Sequence, residues 1–268
     1  MRILVVNPNS NPEMTGNIDR MAKSMAGPDT EVLTLSPPLA PASIESHAED
    51  VVAGYRLIET ALARRGTYDG LVVACYYDPA VEALREILEV PVVGIAEASS
   101  HMASLLAPKF SVITVLRRGV RHVEEVIDKV GLTSRCASVR GVDLGVLDLD
   151  EDLSRSANLI AAEARKAIEE DGAEAIALGC AGMGPLDKQL QESLGVPVLD
   201  GVACAIPLVE ACVRYGVTTS KINTYAAPPT KSADGLDPLL TEIYAPAPLG
   251  HLEETLAMQA SRTLEGRL

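Results

Sequence analysis

Two cysteines, Cys75 and Cys180, occupy matching places in this chain of 268 residues. The first closes the run Asp69-Gly-Leu-Val-Val-Ala-Cys75, which leads through a helix-forming stretch to Val90-Pro-Val-Val93. The second closes Ala173-Glu-Ala-Ile-Ala-Leu-Gly-Cys180, which leads in the same way to Val196-Pro-Val-Leu199. Cysteine and proline are 16 residues apart in the first copy and 17 in the second. Each thiol thus falls at the carboxyl end of a buried-type strand, where open parallel sheets place their ligands. The backbone N–H groups of a helix start following each thiol are expected to lower its pKa from about 8.5 towards neutrality.

Thiols on opposite walls of a cleft suit the inversion of a carbon stereocentre. A proton must leave one face and another must arrive on the opposite face. A single base tends to return the proton to the side it came from. Two groups of similar pKa, one charged and one protonated, work in both directions near neutral pH. The substrate's own carbonyl can carry the developing enolate charge if N–H donors are aimed at it, so no cofactor is demanded. A cysteine near a strand end is most often a small buried hydrophobe. Cys136, Cys204 and Cys212 are read that way; the matched placement sets Cys75 and Cys180 apart. A redox pair would be expected in CxxC form, which these two cysteines do not have.

Other signals are weaker. His47, His101, His122 and His251 share no spacing and read as surface or polar-core residues, and no HExxH occurs. No metal ligand set is expected. Gly179-Cys-Ala-Gly-Met-Gly184 lacks the Lys-Ser/Thr of a phosphate loop. The acidic run Asp148, Asp150, Glu151, Asp152 reads as a solvated helix start.

To face two such thiols across a cleft, the chain must build two equivalent halves. Strands are expected over 3–6, 31–35, 71–74, 91–95, 111–115, 137–142, 175–179 and 196–199. Helices are expected over 12–26, 50–65, 79–88, 120–130, 154–170, 186–194 and 202–215, with 36–46 a Pro- and Ser-rich loop. In the second helix Val51, Tyr55, Ile58 and Leu62 fall at helical spacing. The expected fold is α/β, with two pseudo-symmetric half-domains. Each is a mainly parallel four-stranded sheet flanked by helices, and the active site lies in the cleft between them. The first half-domain is placed at 1–97 with about 200–231 and the second at 98–199. A C-terminal extension covers 232–268. It holds a stiff Tyr244-Ala-Pro-Ala-Pro248 connector, then Leu252, Leu256, Ala260 and Leu264 four residues apart. That last stretch reads either as a subunit contact or as a helix on its own subunit or a frayed tail.

Composition narrows the function classes. Apolar residues make up 47% and charged residues 22%, enough for a core and against disorder. The net charge of −14 repels phosphate backbones and anionic membranes, and 3% aromatics leave no base-stacking platform. No nucleic-acid or membrane partner is expected. The amino-terminal apolar run stops at Pro8, unlike a signal peptide, and no stretch of about 20 apolar residues occurs. A reducing, cytoplasmic location is expected, with the cysteines as thiols.

In this order along the chain, a set of motifs resembles the aspartate/glutamate/hydantoin racemase superfamily, and within it the hydantoin and allantoin racemases. The resemblance runs from Arg2 to about Lys231. It is carried by Asn7-Pro-Asn-Ser10 with Met14-Thr15, Ala42-Ser-Ile-Glu45, Ala74-Cys75 with Asp78-Pro79, and Pro91-Val-Val-Gly-Ile-Ala-Glu97. It continues through Ser111-Val-Ile-Thr114, the 143–149 stretch, Leu178-Gly-Cys-Ala-Gly-Met183 and Asp200-Gly-Val. The resemblance implies catalytic roles for Cys75 and Cys180, proton transfer from opposite faces, and neither metal nor pyridoxal phosphate. It implies substrate contacts at Asn7, Asn9, Thr114 and Val115, and at the residues after each cysteine, Tyr76, Tyr77, Ala181 and Gly182. Tyr76-Tyr77 is bulkier than the small residues expected there, and Val115 replaces a hydroxyl residue. A homo-oligomer is expected.

The flanks of the proposed site are neutral, whereas a free dicarboxylic amino acid would favour bidentate arginine. Arg117 and Arg118 read as exposed turn charges. The expected substrate is therefore a small neutral cyclic amide, a hydantoin or allantoin, inverted at C5. The alternatives are an aspartate/glutamate-type racemase, a related isomerase or decarboxylase of a small acid, or a non-catalytic two-lobed metabolite sensor.

Overall fold

The run Ile3-Leu-Val-Val6 is apolar at every position because both of its faces are covered. In the computed structural model, which describes residues 1–149, 153–232, 234–235 and 237–244, this run lies inside a parallel sheet. The chain begins β1 (Arg2–Val6), α1 (Pro12–Met25), β2 (Glu31–Leu35), α2 (His47–Leu62), β3 (Gly70–Val73), α3 (Val81–Ile87), β4 (Val92–Gly94) and α4 (Ile95–Leu106). It continues β5 (Phe110–Thr114), α5 (Val120–Lys129), β6 (Cys136–Gly141), α6 (Leu153–Asp171), β7 (Ala175–Leu178), α7 (Asp187–Leu194), β8 (Val198–Leu199), α8 (Gly201–Tyr215) and α9 (Pro238–Tyr244).

The strands form two four-stranded sheets of the same order, β2-β1-β3-β4 and β6-β5-β7-β8, and every pairing is parallel. The expected α/β fold with two four-stranded sheets is observed. Side chains alternate across the first sheet. Ile3, Val5 and Val72 face a core that continues into Phe110, Val112 and Ile176 of the second sheet. Leu4, Val6, Leu71 and Val73 face a smaller core under Leu57, Ala61 and Leu84. Helix α8 packs on β3 and β4 and against α4.

Three features differ from the sequence expectation. α4 is a helix where the sequence pattern predicts none, and Ile95, Ala96, Ala98, Ser99, Ser100 and Ala103 are all buried in it. It starts directly at the end of β4, and its small residues give no apolar stripe, because it is covered on several sides. In α2 the core face is Ala53, Gly54, Leu57 and Ala61, while Val51 is 73% exposed. Small residues face inward there because a Cβ on Gly54 would already be 3.4 Å from the Cβ of Ala80. β8 is only Val198–Leu199, shorter than expected. Residues from 245 onwards, with the Leu252 to Leu264 series, and Asp150, Glu151 and Asp152 lie outside the described residues. Among the described residues no helix is long and apolar enough to cross a membrane.

Candidate active site

β3 delivers Ala74-Cys75 and β7 delivers Gly179-Cys180 to the carboxyl ends of the two sheets. Both cysteines line one cavity, with about 30 Å³ of space open to water. Its walls also take Asn9, Tyr76, Tyr77, Thr114, Val115 and Ala181 from the sequence-predicted set. Thr114 Oγ1 donates to the Gly179 carbonyl at 3.3 Å, tying the ends of β5 and β7 together beside Cys180. On the other side, Val146 N–H donates to Glu45 Oε1 at 2.9 Å, joining a loop of the first half to one of the second.

Two predicted contacts, Asn7 and Gly182, are not among the residues that line this cavity in the ligand-free structure. Asn7 is 1% exposed, and its Nδ2 donates to Asn9 Oδ1 at 2.8 Å and to Thr15 Oγ1 at 3.0 Å. It therefore holds Asn9, which reaches the cavity. Gly182 is packed under Leu149 and Met14, either of which would be 3.2 Å from a Cβ placed there. Five wall residues were not singled out as contacts: Met14, Ile44, Ala74, Val146 and Gly179. Each falls within or beside a quoted motif, but their chemistry is apolar, so residue type alone did not distinguish them from core.

His47 and His101 are exposed and His122 half-buried, in keeping with the surface or polar-core reading, but two of them join a stack at the cavity wall. His122 of α5 stacks on Tyr77 with ring centroids 4.0 Å apart, and His47 of α2 stacks on His122 at 4.7 Å. His122 Nε2 lies 3.7 Å from Asp50 Oδ2. Burial pushes Asp50 up to about 6, opposed by His47, and the same burial lowers His122. Spacing in sequence could not show this cluster, because its members come from three separate elements.

The Cys75 thiol is also corrected. Burial drives it well above the ordinary thiol range, offset in part by the Tyr77 N–H and reinforced by the charges of Asp50, Cys180 and Asp78. The expected lowering by a helix start fails because α3 begins only at Val81. Residues 76–80 form turns, with Asp78 and Ala80 in the left-handed region. Cys204 is buried and Cys136 half-buried, each raised by that burial, as packing residues would be.

Among the described residues no lysine, arginine, aspartate or glutamate lines the cavity. Arg117 is 78% exposed and pairs with Asp143 at 2.9 Å. Among the described residues no three His, Cys, Asp or Glu side chains are grouped to hold a metal ion. The arrangement offers two sulfur atoms, amide and hydroxyl groups, and apolar walls to a small uncharged molecule.

The sequence profile of the Asp/Glu/hydantoin racemase family matches residues 3–209. A hydantoin racemase of Pseudomonas sp. (strain NS671) is 42% identical over 238 residues, 88% of this chain and 95% of the relative. A hydantoin racemase of Rhizobium meliloti is 41% identical, covering 88% of this chain and 98% of the relative. The crystal structure of an allantoin racemase from Pseudomonas fluorescens superimposes with a TM-score of 0.85 at 41% identity, over 87% of this chain and 99% of that one. With the fold, the profile and these relatives in agreement, the chain belongs to the Asp/Glu/hydantoin racemase family and is an isomerase.

Proposed function

We propose that this racemase inverts C5 of a 5-substituted hydantoin or of allantoin, using Cys75 and Cys180 as a two-thiol acid–base pair. The observation that carries the reading is the shared cavity, in which both cysteines stand and, among the described residues, no charged side chain does. The relatives named hydantoin and allantoin racemase support the same substrate class. In one direction Cys75, as thiolate, takes the C5 proton, and the electron pair passes into the adjacent ring carbonyl to form a planar enolate. Cys180, as thiol, gives its proton to the opposite face. The protonation states of the two sulfurs are then exchanged, and the reverse direction starts from that state. Burial makes the starting Cys75 thiolate a minor form and a second thiolate rarer still, while it strengthens N–H donation to the enolate oxygen.

Asn9 and Thr114 offer hydrogen bonds to ring N–H and C=O groups, with Tyr76, Tyr77, Val115 and Ala181 as walls. We assign Asn7 and Gly182 supporting roles behind them. Incubating the protein with single enantiomers of 5-alkylhydantoins, allantoin, aspartate and glutamate, and following optical rotation, tests the reading. Loss of rotation is expected with the cyclic amides and not with the amino acids. Cys75→Ser and Cys180→Ser should each abolish it, because a hydroxyl is far too weak a base here. Racemisation by both variants at the parental rate would overturn the mechanism.

A further inference from the structure

The segments that follow the two cysteines, turns after Cys75 and a 3-10 helix after Cys180, are fastened by one device assembled in opposite senses. α4 starts at the end of β4 with Gly94 at its cap position, so no side chain there can satisfy its first N–H groups. Asp78, three residues after Cys75, does so from outside the helix. Its Oδ1 accepts from Ala96 N at 3.0 Å and its Oδ2 from Glu97 N at 2.9 Å. In the other half, α8 is capped by its own Asp200, whose Oδ1 accepts from Ala203 N at 2.7 Å. The second Asp200 oxygen is buried with no hydrogen-bond partner among the described residues, and it faces Gly184 in the 3-10 helix Ala181–Leu186 that follows Cys180.

The sheet register makes the exchange explicit. Leu71 pairs with Val92 in the first sheet and Ile176 with Val198 in the second, so Gly94 and Asp200 are structural equivalents. A Cβ on Gly94 would be 2.4 Å from both Asp78 oxygens, and one on Gly184 would be 2.8 Å from Asp200 Oδ2. In each half, then, one carboxylate meets one glycine where the segment after a cysteine abuts the helix after the proline-containing strand. The contributing segments are swapped. On the Cys75 side the coupling is direct. Asp78 N–H donates to the Cys75 carbonyl at 3.0 Å, and Asp78 is held at a φ of +46°, a conformation that needs external support.

We infer that Asp78 and Asp200 are positioning residues, each setting the reach of one thiol into the cavity and so governing one direction of proton removal. The inference rests on the two-thiol reading. The test uses the full chain with single enantiomers of a slowly racemising 5-alkylhydantoin in deuterium oxide. Proton NMR follows wash-out of the C5 hydrogen from each enantiomer. Cys75→Ser and Cys180→Ser first assign one enantiomer to each thiol. Asp78→Asn should then slow wash-out from the enantiomer that Cys75→Ser affects by about ten- to a hundredfold, leaving the other within about twofold. Asp200→Asn should do the reverse. Gly94→Ala and Gly184→Ala push on the same carboxylates from the opposite side and should repeat the one-sided patterns, which covers an aspartate variant that fails to fold. If the cysteine variants separate the enantiomers but the aspartate and glycine variants slow both equally, or neither, the positioning roles are overturned while the two-thiol reading stands. If the cysteine variants exchange both enantiomers at the parental rate, the underlying reading itself fails.

Discussion

The ring of Tyr77 lies almost parallel to the imidazole of His122, planes 15° apart and centroids 4.0 Å apart. Tyr77 belongs to the loop after β3 and His122 to α5, so the contact joins the two sheets' surroundings. His47 extends the pile outward, and the three rings grade from exposed His47 through half-buried His122 to buried Tyr77 on the cavity wall.

Removing the middle ring should loosen that wall. Such pairs contribute about 0.5–1.5 kcal/mol beyond their buried area. His122→Ala is expected to lower the melting temperature by a few degrees and raise KM for a 5-substituted hydantoin by roughly two- to tenfold, with kcat changed less. Thermal melts and polarimetric kinetics check both. Unaltered KM would detach the stack from substrate binding.

The hydroxyl of Tyr77 sits against Gly119, where an added Cβ would be only 2.3 Å from it. Gly119→Ala should therefore displace the tyrosine and depress kcat/KM by about tenfold or more. Tyr77→Phe removes the clashing oxygen, so the double variant Gly119→Ala with Tyr77→Phe should recover most of that loss relative to Tyr77→Phe alone. Additive losses would contradict the steric account.

Because burial raises the Cys75 thiol, little of it is thiolate in the ligand-free protein at neutral pH. Iodoacetamide should label Cys75 far more slowly than free cysteine at about pH 7.5. Its rate should still be climbing at about pH 9. Peptide mapping by mass spectrometry reads this directly. Rapid labelling at neutral pH would show a stabilised thiolate instead.

Two buried carboxyls give stability a defined pH dependence. Burial, reinforced by Glu97, raises Asp78 from 3.8 to about 7, and burial raises Asp200 from 3.8 to about 6. Folding therefore takes up protons, and this contribution is complete below about pH 4 and disappears as pH rises through 6 to 7. Urea unfolding should show these groups' contribution falling by on the order of a few kcal/mol between about pH 4 and 7.5. Asp78→Asn should flatten the part due to Asp78. An unchanged slope in that variant would mean that Asp78 titrates normally.

The sequence made the strands and the paired cysteines legible, because apolar runs ending in Cys75 and Cys180 repeat with their proline strands. α4 was hidden for a physical reason. Its capping side chain is Asp78, seventeen residues before Ile95 in the chain, and its buried serines Ser99 and Ser100 break any apolar pattern. Tyr76 Oη and Ser99 Oγ, 3.0 Å apart, satisfy one such buried polar group through a contact that only the folded chain creates. Polar wall residues such as Asn9 and Thr114 were readable from motif and position. Apolar ones such as Ile44 and Val146 were not, since a cavity wall and a core use the same side chains.

The apolar interior that passes unbroken from Val72 to Ile176 limits how the molecule can admit anything. Swinging the halves apart like jaws would wet that interior at about 25 cal/mol for every Å² exposed. Entry by local rearrangement of a few side chains and loop segments around Tyr77 is much cheaper. Access is thus expected to depend on the side chains at the rim of the cavity more than on a hinge between the sheets.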